Sequence, residues 1–257
     1  MVTVQLTNVK IDNLVLNRFS LLFILALISF ISNGQGSYNY SRFGVGLYAS
    51  YNRPYADLKK ANDGKTIALA GYYNLSPYIP LGLEVQAGGL SGGDINTDRD
   101  KRQYDNHYKA VLLRGDFGLG EILNYDQSSF MRVIKDFYVG TGVGVISNKM
   151  AFVQRTNLTD TSQEPKGSYT FPGQSSSLNL IVPLRVGYEF KIYDNYDEPF
   201  MGINIGYIHN ITWGEGLDGY ADPRTGFKNN SPDQYRQIVV GVKFNFGSTV
   251  PFIKSIN

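Results

Sequence analysis

The 257-residue chain has no cysteine, one tryptophan and two histidines, and only 18% of its residues are charged. Without cysteine there is no disulfide framework, thiolate metal centre, cysteine nucleophile or lipid-modified cysteine to build on. Soluble globular chains carry roughly a quarter charged residues, so this one is short of the side chains that clothe a water-facing surface. Its 24 basic and 22 acidic residues leave a formal charge of +2, which is no signature of a nucleic-acid partner. A long apolar run is also missing. The longest, Phe19–Ile31 after Arg18, falls short of the roughly 20 residues a spanning helix needs.

A cation, a short apolar core and small residues at a cleavage point describe a secretory signal peptide. Ser32 and Gly34 fill the −3 and −1 positions, which makes Gln35 the expected new N-terminus. Residues 1–34 are therefore read as an N-terminal extension and export signal, and 35–257 as one exported domain. No internal repeat or low-complexity linker divides that domain.

What the chain has in plenty is glycine (28), tyrosine (19) and phenylalanine (15), set in strands of period two. Eight such segments can be counted. The first alternates Phe43, Val45, Leu47, Ala49 and Tyr51 with Arg42, Gly44, Gly46, Tyr48 and Ser50. The second is centred on Ile67, Leu69 and Tyr73, the third on Leu81, Leu83 and Val85, the fourth on Val111, Leu113 and Phe117. Val139, Val143 and Val145 mark the fifth, Leu178 to Phe190 the sixth, Met201 to Tyr207 the seventh, and Ile238 to Phe246 the eighth. Eight strands of about ten residues match a small transmembrane barrel.

A soluble barrel alternates too, but it turns its apolar face inward and charges outward. Here the other face is mostly Gly, Tyr, Asn and Ala, which suits a narrow lumen, while the apolar face with Tyr and Phe near its ends suits lipid. Links 74–80 and 192–199 are short; 52–64, 91–106, 148–176 and 212–234 are long. That is the asymmetry of periplasmic turns and external loops. The link 120–136 breaks the pattern: Phe130, Val133, Ile134 and Phe137 fall at helical spacing after Ser128, an N-cap residue. It reads as a short amphipathic helix at the periplasmic interface. The fold expected is an all-β, eight-stranded antiparallel up-and-down transmembrane barrel.

The segments NLIVPLRVGYEF (Asn179–Phe190) and VVGVKFNFG (Val239–Gly247), with NGQG at the end of the leader, resemble outer-membrane β-barrel proteins of Bacteroidota, the PorT-like small barrels. The resemblance implies an integral outer-membrane location, and some members of the group serve the type IX secretion system. It transfers no functional residue, because the group shares a fold rather than a site. It also implies a chain ending at the aromatic of the last strand, whereas Ser248–Asn257 follows Phe246 here.

Parity places Arg42, Glu84, Arg114, Asp116, Arg185, Glu189 and Lys243 on the lumen face. Charges in so narrow a bore must pair, since a lone buried ion costs several kcal/mol; the network either closes the barrel or lines an ion path or a substrate pocket. The glycines Gly140, Gly142 and Gly144 leave space beside Tyr138. Although Val139–Val145 reads VGTGVGV, a dinucleotide fingerprint needs G-x-G-x-x-G at a strand-to-helix turn, which this is not.

Asp94, Asn96, Asp98 and Asp100 alternate as in a calcium loop, but Arg99 stands where the turn wants glycine, and Lys101 and Arg102 neutralise the cluster. A solvated loop with no metal is the reading. His209 lies on the lipid face, as in the H-x-S pair of lipid A deacylases, yet Ile211 occupies the serine position. No catalytic residue and no cofactor are therefore assigned. Tyr169, Phe171, Trp213, Tyr220 and Phe227 give the external loops the aromatics that interfaces favour.

The functional expectation is a monomeric, non-catalytic anchoring or interaction protein of the cell envelope. Its partners would be outer-membrane lipid, lipopolysaccharide and an envelope protein. A narrow diffusion pore and a lipid A-modifying enzyme are the alternatives.

Overall fold

Alternate apolar residues leave a strand with one face to bury and one to hydrate, and antiparallel neighbours line those faces up. In the computed structural model the ladder closes on itself. The structure describes residues 39–252 apart from 57, 59, 99, 126–127, 161–166, 215 and 222–232; the expected signal segment and its cleavage point lie outside them. The elements are β1 (Asn39–Tyr55), β2 (Ala61–Asn62), β3 (Gly64–Ser76), β4 (Ile79–Gly93), β5 (Gln103–Gly118), α1 (Ser129–Ile134), β6 (Phe137–Gln154), β7 (Thr156–Asp160), β8 (Gly167–Thr170), β9 (Ser176–Tyr193), β10 (Pro199–Trp213) and β11 (Gln234–Pro251). Eight of them pair in the order β4-β3-β1-β11-β10-β9-β6-β5, and β5 returns to β4. Each neighbouring pair is antiparallel. The result is an eight-stranded up-and-down barrel with no open edge.

Adjacent residues decide which face is which. Leu69, Leu113 and Val240 are 51%, 59% and 51% exposed, while their neighbours Ala70, Leu112 and Val239 are 1%, 2% and 4%. The outward face is a continuous sheet of Val, Leu, Ile and Phe, far beyond the few hundred Å² of apolar surface a water-soluble monomer displays. Aromatic pairs rim its lower edge: Phe43–Tyr73 at 5.7 Å, Phe137–Tyr188 at 4.8 Å and Tyr188–Phe190 at 4.5 Å, as in the girdles of transmembrane barrels. The exterior is built for lipid and the chain is a transmembrane barrel. By its short connections at Ser76–Ile79 and Tyr193–Pro199, the end where β1 begins and β11 finishes is periplasmic.

Three features depart from the sequence expectation. The barrel strands run 13 to 18 residues rather than about ten, so they continue above the apolar belt through segments read as loop. Beyond β6, the hairpin β7–β8 occupies part of the segment 148–176, where the sequence predicts a loop. The last strand does not stop at Phe246. It passes a bulge at Gly247, whose φ of +96° favours glycine, and continues to Pro251 opposite Asn39. Phe252 then packs with Tyr40, Tyr78 and Tyr125, so these residues close the periplasmic end rather than trailing from it.

The helix at the periplasmic side is α1, with the Ser128 hydroxyl accepting from the Phe130 amide as its N-cap. Tyr188 on the barrel wall donates to the Val133 carbonyl at 2.9 Å. Phe130 and Val133 are left exposed at the level of the lower aromatic rim.

Candidate functional site

The lumen is filled by side chains from every barrel strand. At mid-height Arg114 is the hub: its Nε lies 2.7 Å from Glu84 Oε2 and its Nη1 2.5 Å from Asp116 Oδ2. Asp116 Oδ1 accepts from Arg185 Nε at 2.9 Å. All four side chains are buried. The Arg114 guanidinium sits 4.9 Å from the Tyr72 ring centre and 5.6 Å from that of Tyr48. It also donates to the Tyr72 hydroxyl, which in turn donates to Tyr48 at 2.6 Å. Lys243 lies below, donating to Asn74 Oδ1 at 3.0 Å with its ammonium 4.9 Å over Tyr72.

Low dielectric makes such a network costly unless every charge has partners. Here each does. Four of the seven residues assigned by parity form one connected cluster, and Lys243 and Glu189 flank it. Glu189 lines a cavity of about 30 Å³ together with Tyr138 and Lys191, room for only a water or two. Arg42 is the exception. It sits where the β1–β11 register slips between Ser41 and Phe43, and this bulge leaves it exposed, 3.4 Å from the Tyr73 hydroxyl, outside the lumen.

The glycine row of β6 does not leave open space either. A Cβ at Gly140 would fall 2.1 Å from Asp116 Oδ1, and one at Gly142 would fall 2.9 Å from Arg114 Cβ. The glycines let β5's charged side chains lie flat against the wall. Tyr138 reaches across Gly187 and Gly206 to donate to Asn204 Oδ1 at 2.9 Å.

Both mouths are covered. Below, Lys191 stacks 3.9 Å over Tyr78 and pairs with Asp136 at 2.8 Å, beside the Tyr40–Tyr125–Phe252 cluster. Above, Leu58, Tyr104, Phe171 and Tyr220 form a second cluster. Arg102 lies 5.8 Å and 5.9 Å from the Phe171 and Tyr220 rings, and the Tyr220 hydroxyl donates to the Gln154 carbonyl at 2.6 Å.

This corrects the expectation for the loop aromatics. Phe171 and Tyr220 are each 2% exposed and hold the cap together, so they present nothing to a partner. Tyr169 packs edge-on against Phe171 at 5.1 Å. Trp213 is 56% exposed at the rim, and Phe227 lies outside the described residues. Burial pushes the Tyr220 phenol well above its ordinary value, partly offset by the Gln103 backbone.

In the acidic loop, Asp94 Oδ1 accepts from the Asn96 amide and Oδ2 takes Lys60 at 2.6 Å, holding its carboxyl below the usual range. Asp98 Oδ1 accepts from the Asp100 and Arg102 amides. These oxygens brace turns. His209 is bonded to Gln234 at 2.9 Å and stacked beside Tyr207, with Ile211 in the adjoining outward position.

Sequence reading missed Tyr48, Tyr72 and Tyr138 as lumen partners, although inward parity marked them. The Asp136–Lys191 pair had no such mark, because Asp136 lies in a connection.

No protein-family model matches the chain, and no curated protein does. Solved structures do resemble it. The Neisserial surface protein A is 14% identical, with a TM-score of 0.42, over 82% of this chain and 100% of that one. The attachment invasion locus protein Ail of Yersinia pestis is 13% identical, with a TM-score of 0.39, over 83% and 100%. The outer membrane protein OprG from Pseudomonas aeruginosa is 11% identical, with a TM-score of 0.35, over 82% and 98%. The fold assignment itself rests on the closed ladder and the apolar exterior.

Proposed function

We propose that this chain is an integral outer-membrane barrel that acts through its two ends and its outer wall, as a non-catalytic anchoring or interaction component of the cell envelope. One observation carries the reading: Glu84, Arg114, Asp116 and Arg185 lock together across the bore, with a packed cap above and a packed cluster below. A solute path would have to break several buried ion pairs. What stays accessible is the external rim around Trp213 and, in the periplasm, α1 with its exposed Phe130 and Val133. Both are aromatic or apolar surfaces of the kind that interfaces use.

The finer part of the proposal comes from the PorT-like resemblance: service to a secretion machine, with α1 as the contact. Purification from outer membranes in mild detergent, with mass spectrometry of what co-purifies, tests it. A stoichiometric envelope protein lost on Phe130→Asp supports the assignment. Stable single-channel steps from the purified protein in a planar bilayer would replace it with a pore.

A further inference from the structure

The upper edge of the apolar belt is uneven around the barrel. On β9 and β10 it ends in apolar and aromatic side chains, with Leu178, Tyr207 and Trp213 exposed. On β3, β5 and β6 it ends in lysines and a histidine. The large outward apolar residues below them are Ile67, Val85, Val111 and Val145, and Phe152 stands exposed higher on β6. Above the first four, also outward and exposed, stand Lys65 on β3, Lys109 and then His107 on β5, and Lys149 beyond Ser147 on β6.

The register brings these four together. Gly89 pairs with His107, and Ala87 with Lys109. His107 in turn pairs with Lys149, and Lys109 with Ser147. Thr66 opposite Gly88 places Lys65 beside Gly89. Because β4 offers only Ala87 and Gly89 here, the wall is recessed between the cations. The recess is a groove of about 630 Å³ lined by Gly89, His107, Lys109, Ser147 and Lys149, within the size range of small-molecule sites. The groove itself runs across β4, β5 and β6; with Lys65 on β3 at its edge, the lysines are spread over four strands, about 14 Å at the usual strand spacing.

Neither the three lysine ammonium groups nor the His107 ring has an ion-pair or hydrogen-bond partner among the described residues. That separates them from Arg53, which faces Asp63 at 4.0 Å, and from Arg236, which stacks on Tyr55. The nearby carboxylates lie one position higher: Asp105 on β5, and Asp63 just before β3, where it faces Arg53.

We propose that this groove binds the phosphorylated sugar headgroup of a glycolipid of the external leaflet, with the acyl chains laid on the apolar wall below. The proposal rests on the outer-membrane reading above. Three arguments select the occupant. The cations sit at headgroup height, immediately above the hydrocarbon-facing residues. They are charge-complementary to phosphate, and unpaired lysines near an anionic membrane surface each contribute to binding. Their spread over four strands fits a headgroup carrying more than one phosphate better than a single phosphodiester.

The test uses the full chain in nanodiscs of phosphatidylcholine, each doped with a bisphosphorylated glucosamine-disaccharide lipid or with phosphatidylglycerol, and native mass spectrometry to count retained lipid. The wild-type barrel retains the glycolipid in preference to phosphatidylglycerol, and inorganic phosphate does not displace it. Lys65→Gln, Lys109→Gln and Lys149→Gln together weaken retention by about a hundredfold.

Gly89→Phe gives a second route, filling the groove while leaving the charges. A Cβ at Gly89 meets only the Asn106 carbonyl, at 3.7 Å, so the barrel accepts it. Equal retention by wild type and both variants overturns the proposal, as does equal retention of phosphatidylglycerol or displacement by phosphate. Unboiled gel mobility, read on the same samples, separates the failures: a folded barrel without selectivity loses only this site, whereas a chain that never folds into membrane loses the outer-membrane reading as well.

Discussion

Asp116 holds two guanidinium groups apart and together at once, taking Arg114 on one carboxylate oxygen at 2.5 Å and Arg185 on the other at 2.9 Å. Without its charge, two buried cations would face each other across the bore. Asp116→Asn should therefore destabilise the barrel by about 3–5 kcal/mol, the usual cost of orphaning a buried ion. Denaturant unfolding in lipid vesicles measures this, with Lys60→Gln, whose exposed pair with Asp94 is worth about 0–1 kcal/mol, as the surface control.

Removing a whole pair has a different consequence. Glu84→Ala with Arg114→Ala leaves no uncompensated partner between those two positions but hollows the mid-lumen beside Tyr48 and Tyr72. The double variant should leak small ions from loaded vesicles where the wild type does not. A tight double variant would mean that the two end clusters seal the bore by themselves.

The external cap should open independently of the barrel. Phe171→Ala removes the ring that Tyr169, Tyr220 and Arg102 all touch, costing the cap about 3–5 kcal/mol of packing. Limited proteolysis should then cut the external segments faster, while the barrel keeps its folded mobility in unboiled gels.

One strand carries a proline where its ladder lapses. Pro183 faces inward on β9, and the β6–β9 pairing runs from Thr141 opposite Leu184 to Gly144 opposite Ile181 with nothing paired between. Proline has no amide to donate. Pro183→Val should restore one wall hydrogen bond, worth about 0.5–1.5 kcal/mol, and slow hydrogen exchange at Gly142 and Val143.

The alternation of Val, Leu and Ile with Gly, Tyr and Asn makes the eight strands, their inward residues and the polarity of the wall legible in the sequence. Parity is a local property and survives wherever the ladder is regular. It misplaced Arg42 because a bulge is a slip between two strands, visible in neither sequence alone. It missed the roles of Phe171 and Tyr220 for another reason: an aromatic in a loop looks the same whether it faces a partner or its own cap. The space expected beside the β6 glycines was absent because Asp116 and Arg114 on the neighbouring strand lie over them.

The bulge at Gly247 and the docking of Phe252 also bear on the order in which the molecule forms. β1 and β11 are the first and last barrel strands, so their seam joins residues almost two hundred positions apart. The other neighbouring barrel strands follow one another along the chain and can zip as hairpins. Contacts between distant segments form slowly, because chain entropy is spent before they return anything. The seam is thus the natural last step of closure, and Phe252 can reach Tyr40 and Tyr78 only once the ladder has passed Gly247. The periplasmic plug is a latch set after the cylinder is complete, and its engagement marks a finished barrel.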